Sequence, residues 1–445
     1  VDDSATVYTF TLRDGIAFHD GRPITAHDFK YSIERAAEPE LHSDTAPLYL
    51  GDIVGMHERL EGEASEVSGV EVVDARTLRI TIDAPKQYFL AKLTYPVAAA
   101  VDRETVEGGS EEWWLDAPIN GSGAYKLMLW EEGEAVVLER NDDYHTPADL
   151  EYFVSPNTAL PGASALGMYH SYAWDAVSVG LGSLDFVRET PVLNAEFQEF
   201  DQLTTYFVVL DNTLPPFDDL NVRRAFSMAL DREALIEEVY GGGVTLARGL
   251  LPPGMPGYSA FLRGIRYDPE AARQALARSA YADDFPPTTF SALDDGGEAP
   301  PSIQFMLAAW EEVLGIEVGV DLINPEVYSY ELESVAKHLF TYGWVADYPD
   351  PENFLDLLLH SSAHDARYAN PTFDRLVEQA RVETDRERRL ALYHQAEQLL
   401  IDDAGIIPLF HVKDYALVAP YVRGFDVTVV GQPDIRAITL GAIAR

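Results

Sequence analysis

The run Thr204-Thr-Tyr-Phe-Val-Val-Leu-Asp-Asn212 constrains the fold more than any other part of the chain. Its apolar residues stand side by side with no polar alternation, so it reads as a strongly apolar strand. The loop Thr213-Leu-Pro-Pro-Phe-Asp-Asp219 follows. One long helix is then predicted from about Asn221 to Gly241-Gly242-Gly243, which ends it. Other segments repeat this βα character. Val7–Leu12 alternates as a strand, and a helix is predicted to start at Thr25, with Asp28 in capping position and Phe29, Ile33 and Ala36 on one face. Val70–Pro85 reads as a hairpin turning at Asp74–Arg76, and Asn120-Gly-Ser-Gly leads into a further strand. Asp268-Pro269-Glu270 and Asn370-Pro371 each place a capping residue before a proline suited to the first helical turn. Strands separated by helices along the chain argue for α/β domains, and 445 residues suffice for two or three of them.

Charge and composition exclude several functions. The 74 acidic against 32 basic residues give a formal net charge of −42, which repels nucleic-acid backbones and anionic membrane surfaces. These acids are scattered over predicted helix faces, a solvation pattern that suits a salt-rich habitat and implies that folding benefits from screening. No apolar run is long enough to span a bilayer, and Val1–Phe10 has neither the basic head nor the apolar core of a signal peptide, so the chain reads as a mature form or a piece of a longer one. With no cysteine, disulfides, thiolate metal sites and cysteine nucleophiles are absent.

The remaining motifs have ordinary explanations. Gly121-Ser-Gly-Ala-Tyr-Lys126 lacks the ending of a phosphate loop and opens a strand, so it reads as a tight turn. His19, Asp20, His27 and Asp28 lack metal-ligand spacing and suit turn and cap roles. No catalytic motif stands out. The chain is read as a non-enzyme, with no cofactor and no metal.

Four segments in order resemble one known family. They are Phe10-Thr-Leu-Arg-Asp-Gly-Ile-Ala-Phe-His-Asp-Gly-Arg-Pro-Ile-Thr-Ala-His-Asp-Phe29, Asn120-Gly-Ser-Gly-Ala-Tyr-Lys-Leu127 with Leu138-Glu-Arg-Asn-Asp-Asp-Tyr144, Pro215-Pro-Phe-Asp-Asp-Leu-Asn-Val-Arg-Arg224, and Gly343-Trp-Val-Ala-Asp-Tyr-Pro-Asp-Pro-Glu-Asn-Phe354. Together they resemble family 5 extracellular solute-binding proteins, the dipeptide and oligopeptide receptors of ABC importers. The resemblance implies a type II periplasmic-binding-protein-like α/β fold, with two hinged lobes and an extra domain. Residues 1–120 would be the extra domain, 121–205 with 425–445 part of lobe I, and 206–424 lobe II. Members carry a leader and a further stretch ahead of the Tyr8-Thr-Phe10 strand that supplies one wall of the groove, so this chain would hold lobe I only in part. Tyr172-Ala-Trp-Asp175 keeps only the aspartate of a family turn.

The resemblance also answers why acid, aromatic and proline residues crowd residues 342–354. Asp347 would pair with the α-ammonium of a peptide ligand, while Gly343 and Val345 would offer main-chain groups to an added strand. The alternatives are that Asp347 caps a turn and that Trp344 is core packing rather than part of the binding site. Asp350 and Glu352 read as turn and helix-start residues, and Pro349 and Pro351 as stiffeners of the strand exit. The implied function is capture of an oligopeptide or similar small solute by a monomeric receptor, extracellular or periplasmic and associated with the cell surface, for delivery to an ABC permease. Membrane contact would come only through an anchor outside this chain. The alternative is the ligand-sensing domain of a regulatory protein.

Overall fold

A computed structural model describes residues 1–2, 4–110, 113–115, 119–156, 164–294, 296–362, 367–428, 431 and 433–442. The chain divides into two compact units: Val1–Val179, Val187–Gln198 and Tyr415–Arg445 form the first, and Gly180–Phe186 and Glu199–Asp414 form the second.

In the first unit, β1 (Val7–Thr11), β2 (Val70–Asp74) and β3 (Thr77–Thr81) form an antiparallel sheet in the order β1-β3-β2. The helix Ala26–Ala36 lays Ile33 against its Tyr8, Leu78 and Ile80, and Phe89 completes that core. The helix begins as the sequence predicts: the Thr25 N–H donates to the Asp28 carboxylate at 2.7 Å. Arg22 bonds the same carboxylate at 2.8 Å, which offsets its burial and holds its pKa below the usual carboxylate range. The glycine turn at 121–123 packs on the His19 turn, with the His19 N–H donating to the Gly121 carbonyl at 2.8 Å. A second sheet, β4 (Tyr125–Glu131), β5 (Ala135–Arg140) and β6 (Tyr152–Pro156), is antiparallel in that order. A short strand, β7 (Ala176–Ser178), pairs with Ala416–Val418, and Val422–Arg423 pairs with Thr439–Leu440, both antiparallel.

The second unit is built on β8 (Phe197–Leu210), β9 (Thr245–Leu246), β10 (Thr289–Leu293), β11 (Gly319–Ile323), β12 (Leu339–Val345) and β13 (Ile406–Val418). Its sheet order is β11-β10-β12-β8-β13, with β9 added against β13. β10 runs parallel to both β11 and β12, while β12 meets β8 antiparallel. On one face Phe207, Val209 and Phe340 pack against Phe373, Val377, Tyr393 and Leu400 of the helices Pro371–Val382 and Arg386–Asp402. On the other, Val208, Leu210 and Leu339 pack against Phe226 and Trp310 of the helices Leu220–Ala229 and Pro301–Leu314. The uninterrupted apolar run of β8 is thus covered on both faces. Each fully buried side chain of this kind contributes about 1.5–3 kcal/mol.

The single helix expected from Asn221 to Gly243 is two helices, Leu220–Ala229 and Arg232–Tyr240. Leu230 is extended, and the Asp231 carboxylate accepts the Ala234 N–H at 3.0 Å, so a cap starts a new helix where the apolar pattern alone runs on. Gly241, at φ +56°, then ends the second helix as predicted. Asp268 and Asn370 also cap their helices as read from the sequence, accepting the N–H groups of Ala271 and Thr372 at 2.9 Å each. Contact density groups residues 1–120 with 121–179. The two units divide at 198/199 within β8 and at 414/415 within β13, earlier than the expected 205/206 and 424/425.

Beneath β8, the peptide at Leu250 is held from two sides. Glu397 Oε1 accepts the N–H groups of Leu250 and Leu251 at 2.9 Å each, and the Thr205 hydroxyl donates to the Leu250 carbonyl at 2.8 Å. That hydroxyl has one proton, so its 2.8 Å contact with His411 Nδ1 makes the imidazole the donor there. Burial pushes the Glu397 carboxyl up to about 7 and His411 down to about 4.

Candidate functional site

Antiparallel pairing decides which way the main chain of β12 faces. The register sets Gly343 opposite Tyr206, Trp344 opposite Thr205 and Val345 opposite Thr204. Just past the strand, the Ala346 N–H donates to the Leu203 carbonyl at 2.8 Å, so that pair is a hydrogen-bonded one. Hydrogen-bonded and open pairs alternate, so Trp344 bonds to β8 while Gly343 and Val345 turn their N–H and C=O groups to the opposite edge. On that edge β10 pairs only as far as Phe340, and no strand among the described residues continues the ladder. An extended ligand can bond there as an added strand.

Side chains follow the same alternation. Gly343 and Val345 share a face with Thr204 and Tyr206, and both are exposed. A Cβ at Gly343 would stand 2.6 Å from the Tyr206 ring, so the phenol lies directly over bare backbone and glycine is required beneath it. Tyr206 stacks on Phe410 of β13 at 5.1 Å. Next along β8, the Thr204 hydroxyl donates to Gln202 Oε1 at 3.2 Å, and Gln202 donates to Asp414. Burial holds the Asp414 carboxyl above its ordinary value. Trp344 faces the other way, packed against the core and stacked on Tyr342 at 6.4 Å.

Asp347 follows the strand and is held by Asn353, which is fully buried. Asn353 Nδ2 donates to Asp347 Oδ2 at 3.0 Å, while Asn353 Oδ1 accepts both the Asp347 N–H at 3.1 Å and Trp344 Nε1 at 2.9 Å. One amide thereby fixes the carboxylate and the indole together. The other acids of the segment turn inward. Asp350 accepts the Glu352 N–H at 3.0 Å and forms a two-pronged pair with the buried Arg389 at 2.5 and 2.8 Å. This pairing, against the cost of burial, raises the guanidinium pKa. Glu352 is buried and accepts the Tyr348 hydroxyl. Structure therefore turns the main chain of Gly343 and Val345 to the open edge, sets Trp344 on the core side of the strand, and ties Asp347 to Trp344 through Asn353. Sequence reasoning missed Asn353, Tyr206, Gln202, Thr204 and Asp414. The first lies six residues from Asp347 in the already quoted segment, and the others become visible only through strand register.

The model of the family described as bacterial extracellular solute-binding proteins, family 5 Middle, matches residues 1–365, and the chain belongs to this family. It is 32% identical over 438 residues to the periplasmic oligopeptide-binding protein OppA of Escherichia coli K12, covering 95% of this chain and 79% of that one. It is 26% identical over 445 residues to the dipeptide-binding protein DppE of Bacillus subtilis 168, covering 96% and 80% respectively. The solved structure of the Escherichia coli murein tripeptide binding protein MppA superposes with a TM-score of 0.81 at 26% identity, over 100% of this chain and 89% of that one. The fold is the α/β fold of type II periplasmic binding proteins.

Proposed function

We propose that this chain is the receptor of an ABC importer, binding a peptide by its main chain along Gly343–Val345 and by its α-ammonium at Asp347. The observation that carries this reading is the open edge of β12, whose outward main-chain groups end two residues before a carboxylate fixed by a buried amide. An extended peptide supplies complementary donors and acceptors to such an edge, and its ammonium complements the carboxylate. The peptide-binding names of the relatives support the same ligand class. The receptor works outside the cytoplasm, periplasmic or extracellular at the cell surface, and hands its solute on unaltered to a permease. It acts as a monomer and takes no nucleic acid. Its charge of −42 suits a salt-rich medium.

The test is Asp347→Asn, titrated with one peptide bearing either a free or an acetylated N-terminus. Wild type should prefer the free amine. The variant should lose about 2–5 kcal/mol for it, roughly thirty-fold to several-thousand-fold, with little change for the acetylated form. An undiminished preference in the variant would place the ammonium elsewhere.

A further inference from the structure

In a chain so rich in acids, one cavity of the second unit carries more cations than anions in its lining. Its volume is about 860 Å³, and Arg232, Arg248, Arg263 and Arg266 line it, against Asp231 and Glu233. The Asp231 carboxylate is engaged in capping the helix Arg232–Tyr240. Arg232 is buried, and its guanidinium donates only to the carbonyls of Ala247, Pro408 and Ile265, with no carboxylate in ion-pair contact among the described residues. Burial lowers its pKa to about 10, so the group stays charged at neutral pH. Arg248 and Arg266 have no hydrogen-bond or ion-pair partner among the described residues, and Arg263 meets Asp402 only at 3.8 Å.

Beside these cations, Phe261 is 93% exposed. Its loop is firmly held: Leu262 is buried, and Gln398 accepts the Arg263 N–H at 3.1 Å and donates to the Arg263 carbonyl at 3.2 Å. The exposed ring lines the cavity together with the four arginines. Tyr267, also exposed, lines the same cavity.

The cavity shares no lining residue with the candidate site at β12, and borders it through Leu246, which pairs with Phe410, the ring on which Tyr206 stacks.

We propose that this cavity binds an organic oxyanion, a phosphate or carboxylate carried on an aromatic or apolar body. Arginine forks match such oxygens two at a time, the buried Arg232 supplies a fixed positive field, and Phe261 and Tyr267 cover the apolar body. The volume falls within the range of about 300–1,000 Å³ usual for small-molecule sites and leaves room for more than a bare phosphate.

Calorimetric titration of the full chain with phenyl phosphate, and separately with inorganic phosphate, tests this against chloride at equal ionic strength. Phenyl phosphate should bind saturably to wild type. The double variant Arg248→Gln/Arg266→Gln should bind it at least about ten-fold more weakly, and Phe261→Ala should weaken phenyl phosphate more than inorganic phosphate. All three side chains are exposed, so the variants should keep the wild-type melting curve and wild-type peptide affinity. No saturable binding of phenyl phosphate to wild type, or an unchanged affinity in the double variant, overturns the proposal.

Discussion

β8 and the sheet β4-β5-β6 are both apolar in sequence, yet they end in opposite environments. Phe207, Val208, Val209 and Leu210 are each 0% exposed, with successive residues passing into separate cores on the two faces. In β4, Leu127-Met-Leu-Trp130 is just as apolar, but Met128, Leu129 and Trp130 are exposed, as are Tyr152 and Val154 of β6. No side chain of those three strands is fully buried. An apolar strand therefore contributes stability in proportion to what covers it. Helices on both sides of β8 supply that cover, while β4-β5-β6 is held mainly by its hydrogen-bond ladder.

The largest expected effect sets two identical side chains against each other. Trp310→Ala removes a fully buried indole whose Nε1 donates to the Phe226 carbonyl at 3.0 Å, and should cost about 3–5 kcal/mol in urea unfolding of the second unit. Trp130→Ala, in the exposed sheet, should cost no more than about 1 kcal/mol. Equal losses would show that the exposed sheet is covered in solution.

A somewhat smaller effect should appear with pH, and it belongs to the covered sheet. Glu397 titrates near 7 when folded against an ordinary 4.5. Its stabilisation is fully present below pH 4.5 and lost as pH rises to 7, about 3 kcal/mol in all. His411, lowered to about 4 from 6.5, works in the other direction: its contribution is present above 6.5 and lost as pH falls towards 4. Between 4.5 and 6.5 the two slopes oppose each other. Glu397→Gln should therefore expose the histidine slope, with denaturant midpoints that fall as the medium is acidified. A variant as flat as wild type across that window would exclude the opposed contributions of Glu397 and His411.

The smallest effect concerns the hairpin tip Glu131-Glu132-Gly133-Glu134, where like charges meet at a turn. Raising salt from low to molar should slow amide exchange in β4 and β5 by a few fold through screening, and leave the buried part of β8 almost unchanged. A uniform response in both sheets would assign the salt effect to the net charge of the whole molecule.

Local signals carried much of this architecture into the sequence. Thr25 with Asp28, Asp268 with Pro269, and Asn370 with Pro371 are caps whose partners lie within one helical turn, so residue order alone reveals them. Gly343, Trp344, Val345 and Asp347 were named through family resemblance, but their directions were hidden. Which main-chain groups face outward depends on the register with β8, a strand more than a hundred residues earlier. The break at Leu230-Asp231 was obscured because apolar periodicity continues across it while the capping carboxylate does not advertise its choice of partner. Asn353 carries no signal of its own in the sequence, and only its burial and hydrogen bonds show it to be the clamp on Asp347.

That clamp has an optical consequence. Indole emission responds to the polarity and charge around the ring, and Trp344 shares Asn353 with Asp347. Any cation that settles on the carboxylate must disturb the amide and, through it, the excited state of the tryptophan. Subtracting the emission of a Trp344→Phe variant from that of wild type, among six tryptophans in all, isolates a built-in fluorophore that reports occupancy of Asp347 without any label.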